Sequence, residues 1–584
     1  MCATPSVVTD SFRVAGTEPG AEGVTFTFEG RPIRGRRGES LAAALTAAGE
    51  RELRLTRKGP SRGLFCGMGV CQECLVEIDG LPGQRACMTK LDRPMQVRRQ
   101  DFLPAARTIE RGAKPGANAA ALEPDLMVLG GGAGGLNAAI MAAKIGAKVL
   151  LVDERPVAGG QFHKQRLEAS GIADNLPDDA QFAGGRALIA RARQAGVAML
   201  QGVQVWGAFE PLDLMLFDGK QSRLCRPKRL IVATGAYERG LPVPGWTLPG
   251  VMTTGAAQTL LRSYGVLAGR RILVAGNGPL NLQVALELAR AGAKVAAVAE
   301  LASAPGLGSF AALLRMATST PDLLFQGRRY VAELARRGIP LLHGHVLAGV
   351  EQTGTGLKAR LRQWPREQDA PPVEFDVGAV LMGYGFMPSN EILRALGCRH
   401  AFDPVRGHLV CQRDADCRTS LEAVYAVGDC AGLGGAPAAE AEGVIAGLAA
   451  VRSLNLAPSA EAMREAETAR RALRRHRRFQ QGLWRVFQAP RPMAELVVSE
   501  TLVCRCEELV LSDIESGFAA GSEGIGAVKR ATRAGMGRCQ GRYCGPILAR
   551  LAADRQGVAL DEAAHWAPRP PVKPIAIADI IAGA

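Results

Sequence analysis

Twice in this chain an apolar strand runs into a glycine turn, then a helix, then a second apolar strand. The first copy is DLMVLGGGAGGLNAAIMAAKIGAKVLLVD at 125–153 and the second is RILVAGNGPLNLQVALELARAGAKVAAVAE at 271–300. No other feature constrains the fold as strongly. Such a unit closes only as a parallel βαβ crossover, and two of them about 145 residues apart imply two doubly wound α/β domains. The whole chain of 584 residues is too long for one hydrophobic core, so further domains are expected around this pair.

The first glycine turn reads Gly130-x-Gly132-Ala133-x-Gly135, after a strand and at the head of a helix. That context marks a dinucleotide fingerprint: the glycines let a pyrophosphate approach, and the helix N-terminus favours its charge. An acid just after the second strand is expected to bind ribose hydroxyls. Both Asp153 and Glu154 stand there, and spacing does not choose between them. Gln161 follows in GGQFHKQ, where His163 is a candidate to approach a flavin ring. Thr234 and Gly235, after the strand RLIVA, suggest a second crossing beside the cofactor. Gly428 and Asp429, in LEAVYAVGDCAG, are expected beside a flavin's ribityl chain, with a helix N-cap as the plainer role for Asp429. FAD is the expected occupant.

The second turn, Gly276-x-Gly278-x-x-Asn281, departs from the fingerprint at its third glycine. Glu300 holds the ribose position and disfavours a 2′-phosphate. This domain is expected to hold NAD, another adenine nucleotide, or nothing.

Eight of the 14 cysteines fall into two frames. Cys66, Cys71, Cys74 and Cys87 have the C-x4-C-x2-C spacing of a plant-type [2Fe–2S] site, with a fourth ligand farther on. Glycines at 67 and 69 allow the loop to wrap and point amides at sulfur. Zinc or free thiols are the alternatives. Cys504, Cys506, Cys539 and Cys544 form a C-x-C and a C-x4-C pair in a unit of about 60 residues. So small a unit gains from a metal centre; a second [2Fe–2S] cluster is expected, with a zinc ribbon as the alternative. The other cysteines form no redox pair, and the H-x-H of His343 and His345 reads as a polar strand end.

The net charge of +15 is spread along the chain, apart from six arginines within Arg470–Arg478, read as a solvated helix face or a subunit contact. No nucleic-acid-binding signature accompanies it. No stretch approaches the ~18–20 apolar residues of a membrane span and the N-terminus has no apolar signal core, so a cytoplasmic protein is expected.

The segments RGLFCGMGVCQECLV, ATGAYERGLPVPGWTLPGVMTTGAAQTLL, GYGFMPSNEI and VCRCEE…TRAGMGRCQGRYCGP resemble the α-type subunits of hetero-oligomeric amine and amino-acid dehydrogenases. That group includes hydrogen cyanide synthase, opine oxidases, dye-linked proline or hydroxyproline dehydrogenases and heterotetrameric sarcosine oxidase. The resemblance implies a glutathione-reductase-like core of two dinucleotide-binding domains. An N-terminal β-grasp ferredoxin domain and a C-terminal helical domain like bacterioferritin-associated ferredoxin would flank it. It also implies an oxidoreductase acting on CH–NH or CH–NH2 donors as part of a hetero-oligomer, with a β-type FAD-dependent oxidase-like subunit as partner. Besides FAD and two [2Fe–2S] clusters, it implies FMN at a subunit interface and NAD or ATP in a dinucleotide domain. The long extension of the sarcosine oxidase α subunit has no counterpart here, which disfavours that activity.

The expected organisation is a flexible tail (1–22), the ferredoxin-like domain (23–100), a linker (101–123) and the FAD-binding domain in two parts (124–246 and 381–455). An NAD-binding-like domain (247–380) is inserted between those parts. A helical linker (456–500), the second cluster domain (501–560) and a tail (561–584) complete the chain. The function expected is electron transfer for a partner that oxidises a C–N bond, with no catalytic residue of its own singled out. A self-contained NADH-dependent reductase and a redox-responsive scaffold are the competing readings.

Overall fold

Alternation decides the first domain. Val24, Phe26 and Phe28 face inward and Thr25 outward, so the strand Val24–Phe28 has one wet face and pairs antiparallel with Arg31–Gly35. The computed structural model describes residues 12–102, 120–166, 179–354, 356–365, 371–490, 495–519 and 524–581. Five strands form the N-terminal sheet, ordered Arg31–Gly35, Val24–Phe28, Gln96–Arg99, Leu75–Ile78 and Leu81–Arg85. The helix Leu41–Ala47, buried along its whole length, packs against them; the Ser40 side chain caps it by accepting from the Ala43 amide.

Both central sheets are wholly parallel and covered on both faces, which is why their strands are near-continuous apolar runs. The first orders Val424–Ala426, Arg229–Val232, Leu126–Leu129, Val149–Asp153 and Ala198–Gln201. The second orders Val251–Thr253, Ala379–Gly383, Arg271–Gly276, Lys294–Glu300 and Leu341–His343. Strand Ala379–Gly383 thus lies in the second sheet, across the boundary expected at 380. The chain is therefore an α/β protein with two dinucleotide-type domains between smaller flanking domains.

Glycine sets the closeness of the first domain. A Cβ on Gly135 would stand 1.8 Å from the Gly130 carbonyl oxygen, and one on Gly443 would stand 2.1 Å from that of Gly134. The helices Ala133–Lys144 and Ala436–Arg452 therefore pack backbone to backbone. In the second domain Asn281 replaces the third glycine and stitches instead of approaching. Its Nδ2 donates to the Gly383 carbonyl at 3.0 Å, and its Oδ1 accepts from Thr254 Oγ1 at 2.9 Å.

The helix Ala460–Val486 carries the arginine run, with Arg471, Arg474, Arg475, Arg477 and Arg478 exposed. The C-terminal unit holds a short hairpin and the helices Leu511–Ala519, Ile525–Thr532 and Cys544–Gln556. Among the described residues no helix is long and apolar enough to cross a membrane.

Two expectations change. Residues 1–11 and most of the 101–123 segment lie outside the described residues, but 12–17 are not a flexible tail. Val14 and Thr17 are buried, Arg13 pairs with Glu39, and Thr17 Oγ1 donates to the Gly265 carbonyl at 3.0 Å. An apolar residue and a satisfied ion pair give this segment enough to dock. The segment after 560 is likewise engaged: Trp566 covers Gly535 and Gly541, and the Val572 amide donates to the Trp206 carbonyl.

The two glycines of the first turn separate by role. Gly135→Ala is expected to cost about 1–3 kcal/mol through overpacking, whereas Gly132→Ala, whose Cβ meets nothing nearer than 3.8 Å, leaves the nucleotide-free protein's melting temperature unchanged. Thermal unfolding followed by circular dichroism checks both.

Candidate cofactor site and metal centres

At the carboxyl ends of the two parallel sheets a single cavity of about 1270 Å³ opens. Ligand sites usually span ~300–1,000 Å³, so it has room for more than one group. Of the residues singled out by sequence, Gly130, Gly132, Ala133, Asp153, Glu154, Gln161, Thr234, Gly235, Gly428, Asp429 and Glu300 line it. Gly135, Gly276 and Gly278 act through the backbone behind that wall. A Cβ on Gly276 would meet the Gly383 carbonyl oxygen at 2.2 Å, and the Gly278 amide donates to Glu300 Oε2 at 2.9 Å.

Register separates the two adjacent acids. Leu129 opposes Val152, which brings Asp153 level with the glycine turn, where its Oδ2 accepts from the Gly131 amide. In the second sheet Gly276 opposes Glu300, after one extra residue is absorbed at the register shift between Ile272 and Leu273. Asp153 and Glu300 are therefore the equivalent positions. Burial pushes both carboxyls up, against the amides that hold them.

Glu154 turns the other way. Its Oε1 accepts from Arg85 Nη1 at 2.9 Å, and its Oε2 pairs with Lys573. Burial alone would push the carboxyl up, but Lys573 and Arg85 hold it at about 2. Arg85 also donates to the Gly69 carbonyl, so this cluster joins the first cysteine loop, the first parallel sheet and the C-terminal segment.

Asp429 is not the N-cap of the next helix, a position that Gly435 holds, but it braces the turn before it. Its Oδ1 accepts from the Gly434 and Gly435 amides at 2.8 and 2.9 Å, at the entry to the helix Ala436–Arg452, and the residue also lines the cavity. His163 does not approach the cavity: its ring nitrogens face the Gln181 carbonyl and Glu440. Its neighbour Lys164 does, together with Glu238 and Gln258. Lys164 Nζ donates to Gln258 Oε1 at 2.6 Å; Glu238 Oε2 accepts from the Gly255 amide, and its Oε1 has no hydrogen-bond partner among the described residues. Burial lowers Lys164 to about 7 and raises Glu238 to about 7. Sequence reasoning missed these three because distant segments bring them together. His343 and His345 bond to nearby carbonyls and do not converge.

The loop Cys66–Gln72 forms one end of the cavity through Cys66, Met68, Gly69, Val70 and Gln72. Burial pushes the Cys66 thiol up, yet hydrogen bonds from Cys71 and from the amides of Met68, Cys71 and Val70 bring it down to about 6. That is a cradle for an anionic sulfur. The Cys74 and Cys87 thiols share a hydrogen bond beside it. In the second frame Cys504 hydrogen-bonds to both Cys506 and Cys544, and Cys506 Sγ lies 3.7 Å from Cys539 Sγ. A Cβ on Gly537 would stand 2.4 Å from Cys506 Sγ, so glycine leaves that sulfur its space. Every described cysteine is free. Among the described residues no three or more His, Cys, Asp or Glu side chains gather as a site for a metal ion. The first frame instead offers its thiols as two adjacent pairs and the second as a run of four linked thiols; four thiolates suit a two-iron centre, where each iron takes two.

The two frames touch. Glu73, between Cys71 and Cys74, is fully buried and pairs with Arg54 at 3.0 Å and with Arg505, between Cys504 and Cys506, at 3.4 Å. The sequence carried a signal for this: the C-x4-C-x2-C loop of the first frame holds one charged residue, Glu73, and the C-x-C pair of the second holds one of opposite sign, Arg505.

With this geometry in hand, comparison with known proteins is specific. Residues 124–443 match the model of pyridine nucleotide-disulphide oxidoreductases, residues 21–101 that of a 2Fe-2S iron-sulfur cluster binding domain, and residues 499–584 that of the sarcosine oxidase A3 domain. An opine oxidase subunit of Rhizobium meliloti (strain 1021) is 32% identical over 78% of this chain and 98% of its own length. The chain belongs to this family of oxidoreductase subunits. The HcnB subunit of hydrogen cyanide synthase from Pseudomonas aeruginosa is 32% identical over 77% of the chain and 96% of the relative. The crystal structure of L-proline dehydrogenase from P. horikoshii shares the fold, with a TM-score of 0.71 at 20% identity, covering 98% of this chain and 100% of that one. In this chain a flavoprotein-type core is joined to a 2Fe–2S domain.

Glu154 supplies a pH test. Its carboxyl is held below the ordinary value near 4.3, so its contribution is complete above that pH and is lost as pH falls toward 2. Glu154→Gln is expected to cost roughly 2–3 kcal/mol at pH 7, with the gap to wild type closing between about pH 4.5 and 2. Melting curves across that range check this; a pH-independent gap contradicts it.

Proposed function

We propose that this chain is the electron-transferring subunit of a multi-subunit amine or amino-acid dehydrogenase, in which the C–N bond is oxidised on a partner flavoprotein. The observation that carries this reading is the continuity of one cavity, from the first glycine turn to the amide cradle of Cys66, with the second cysteine frame in contact behind it. The relatives' names support the substrate class: they are subunits of opine oxidase and of hydrogen cyanide synthase.

In this reading the first turn holds the pyrophosphate of FAD at Gly130, Gly132 and Ala133, with Gly135 behind it for close packing. Asp153 takes the ribose, and Gln161, Thr234, Gly235, Gly428 and Asp429 line the rest of the cofactor's path. Glu154 serves as a tie between domains. Cys66, Cys71, Cys74 and Cys87 hold one [2Fe–2S] cluster, and Cys504, Cys506, Cys539 and Cys544 hold another. Bound there, a flavin takes electrons in pairs and the clusters carry them singly. The chain's own residues position and shield these groups: Lys164, Glu238 and Gln258 present a donor and an acceptor to a ring in the cavity, and the Met68–Cys71 amides stabilise anionic sulfur. FMN would lie at the face toward the β-type partner, and NAD or ATP at Gly276, Gly278 and Glu300.

Glu300 favours a second reading, a reductase that takes electrons from NADH, because it occupies the position equivalent to Asp153. Against it, Asn281 stands where the fingerprint has its third glycine, and its side chain is tied to the Gly383 carbonyl and to Thr254.

The test is purification of the chain alone and with a co-expressed flavoprotein partner. The assay offers glycine, proline derivatives and opines with a dye acceptor. Turnover only in the complex is expected. Rapid amine turnover by the isolated chain contradicts the reading, and bleaching near 450 nm by NADH supports the reductase instead. Metal analysis should find iron with matching acid-labile sulfide; zinc in the Cys504–Cys544 frame contradicts the second cluster.

A further inference from the structure

The two cysteine frames meet through side chains that belong to the frames themselves. Glu73 and Arg505 are 432 residues apart in sequence, yet Arg505 Nε lies 3.4 Å from Glu73 Oε1, and both residues are buried. Arg54 and Arg62 approach the other carboxylate oxygen, at 3.0 and 4.0 Å. The Arg505 guanidinium also lies over the Phe65 ring at 3.8 Å and the Trp246 ring at 4.4 Å, and it donates to the Trp246 carbonyl. A second contact runs beside the first. Phe65, which precedes Cys66, meets Tyr543, which precedes Cys544, edge-on at 5.4 Å. Outside the loops, the Arg57 amide donates to Glu508 Oε1 at 3.0 Å. One polar and one aromatic contact thus join the first cysteine loop to both cysteine pairs of the second frame.

We propose that the buried Glu73–Arg505 contact is a positioning device that clamps the two cysteine frames into one body, so that their metal centres sense each other magnetically and electrostatically. This rests on the reading of both frames as [2Fe–2S] ligand sets. The charge balance gives the device a sign. One carboxylate and three guanidiniums stand at the boundary between two sets of anionic thiolates, and net local charge tunes cluster potentials. Neutralising Glu73 leaves more positive charge beside both centres and stabilises their reduced forms. Neutralising Arg505 does the opposite.

The experiment uses the full chain as purified, with iron and sulfide quantified, reduced by dithionite and examined by low-temperature EPR with power saturation, alongside redox titration. About four iron atoms per chain are expected, with broadened or split signals that relax fast because two paramagnets are neighbours. Glu73→Gln should move both midpoint potentials upward and Arg505→Gln should move both downward, an opposition that a merely structural role would not produce. Four iron atoms with two sharp signals that saturate independently overturn the coupling while leaving the two-cluster reading intact. Two iron atoms overturn the second-cluster reading, and the coupling with it. Should either variant fail to fold, the wild-type spectrum decides alone.

Discussion

One fully buried carboxylate, Glu73, holds the two ends of this chain together. A charge without exposure is tolerated only where partners replace its water, and removing one partner of such a set is far costlier than never having built it. Here three arginines replace the water: Arg54 and Arg62 from the N-terminal domain, and Arg505 from the C-terminal unit. The cost of burying the carboxylate favours the docking that brings Arg505 to it. The aromatic contact of Phe65 with Trp246 and Tyr543, and the apolar core that includes Cys66, Cys71 and Cys539, are built around that docking.

Glu154 repeats the device on the other side of the first cysteine loop. Arg85 reaches from the N-terminal domain and Lys573 from the C-terminal segment, both to one carboxylate at the edge of the cavity. Between these two ties, the Cys66–Gln72 loop is fixed as the end wall of the cavity. The glycine turns then set how closely a ligand and the helices approach each other. The functional reading follows from these placements: a cavity that begins at a nucleotide-type turn ends at a sulfur cradle.

The glycine turns and cysteine spacings were legible in sequence because they report local backbone requirements. A glycine beside a carbonyl at 1.8 Å is needed whatever the distant surroundings. Whatever depends on register or on distant partners was not legible. Asp153 and Glu154 are adjacent, and only the pairing of strands distinguishes them, since a one-residue irregularity in the second sheet displaces the comparison with Glu300. The cavity-facing role suggested for His163 belongs instead to Lys164, because the ring nitrogens of His163 find partners at Gln181 and Glu440. Lys164, Glu238 and Gln258 come from separate elements, so no local pattern announced them. The docking of residues 12–17 rested on a buried ion pair whose partner, Glu39, lies beyond any local window. The fold class was therefore readable in full, and the site only as far as its backbone-determined parts.

The account's central claim is that electrons from an amine pass through this chain by way of its two cysteine frames. The most direct measurement is rapid-freeze EPR of the intact complex after anaerobic mixing with its amine substrate. The account predicts that signals from both iron–sulfur centres appear on the timescale of turnover. Product formation with both centres still oxidised would contradict it.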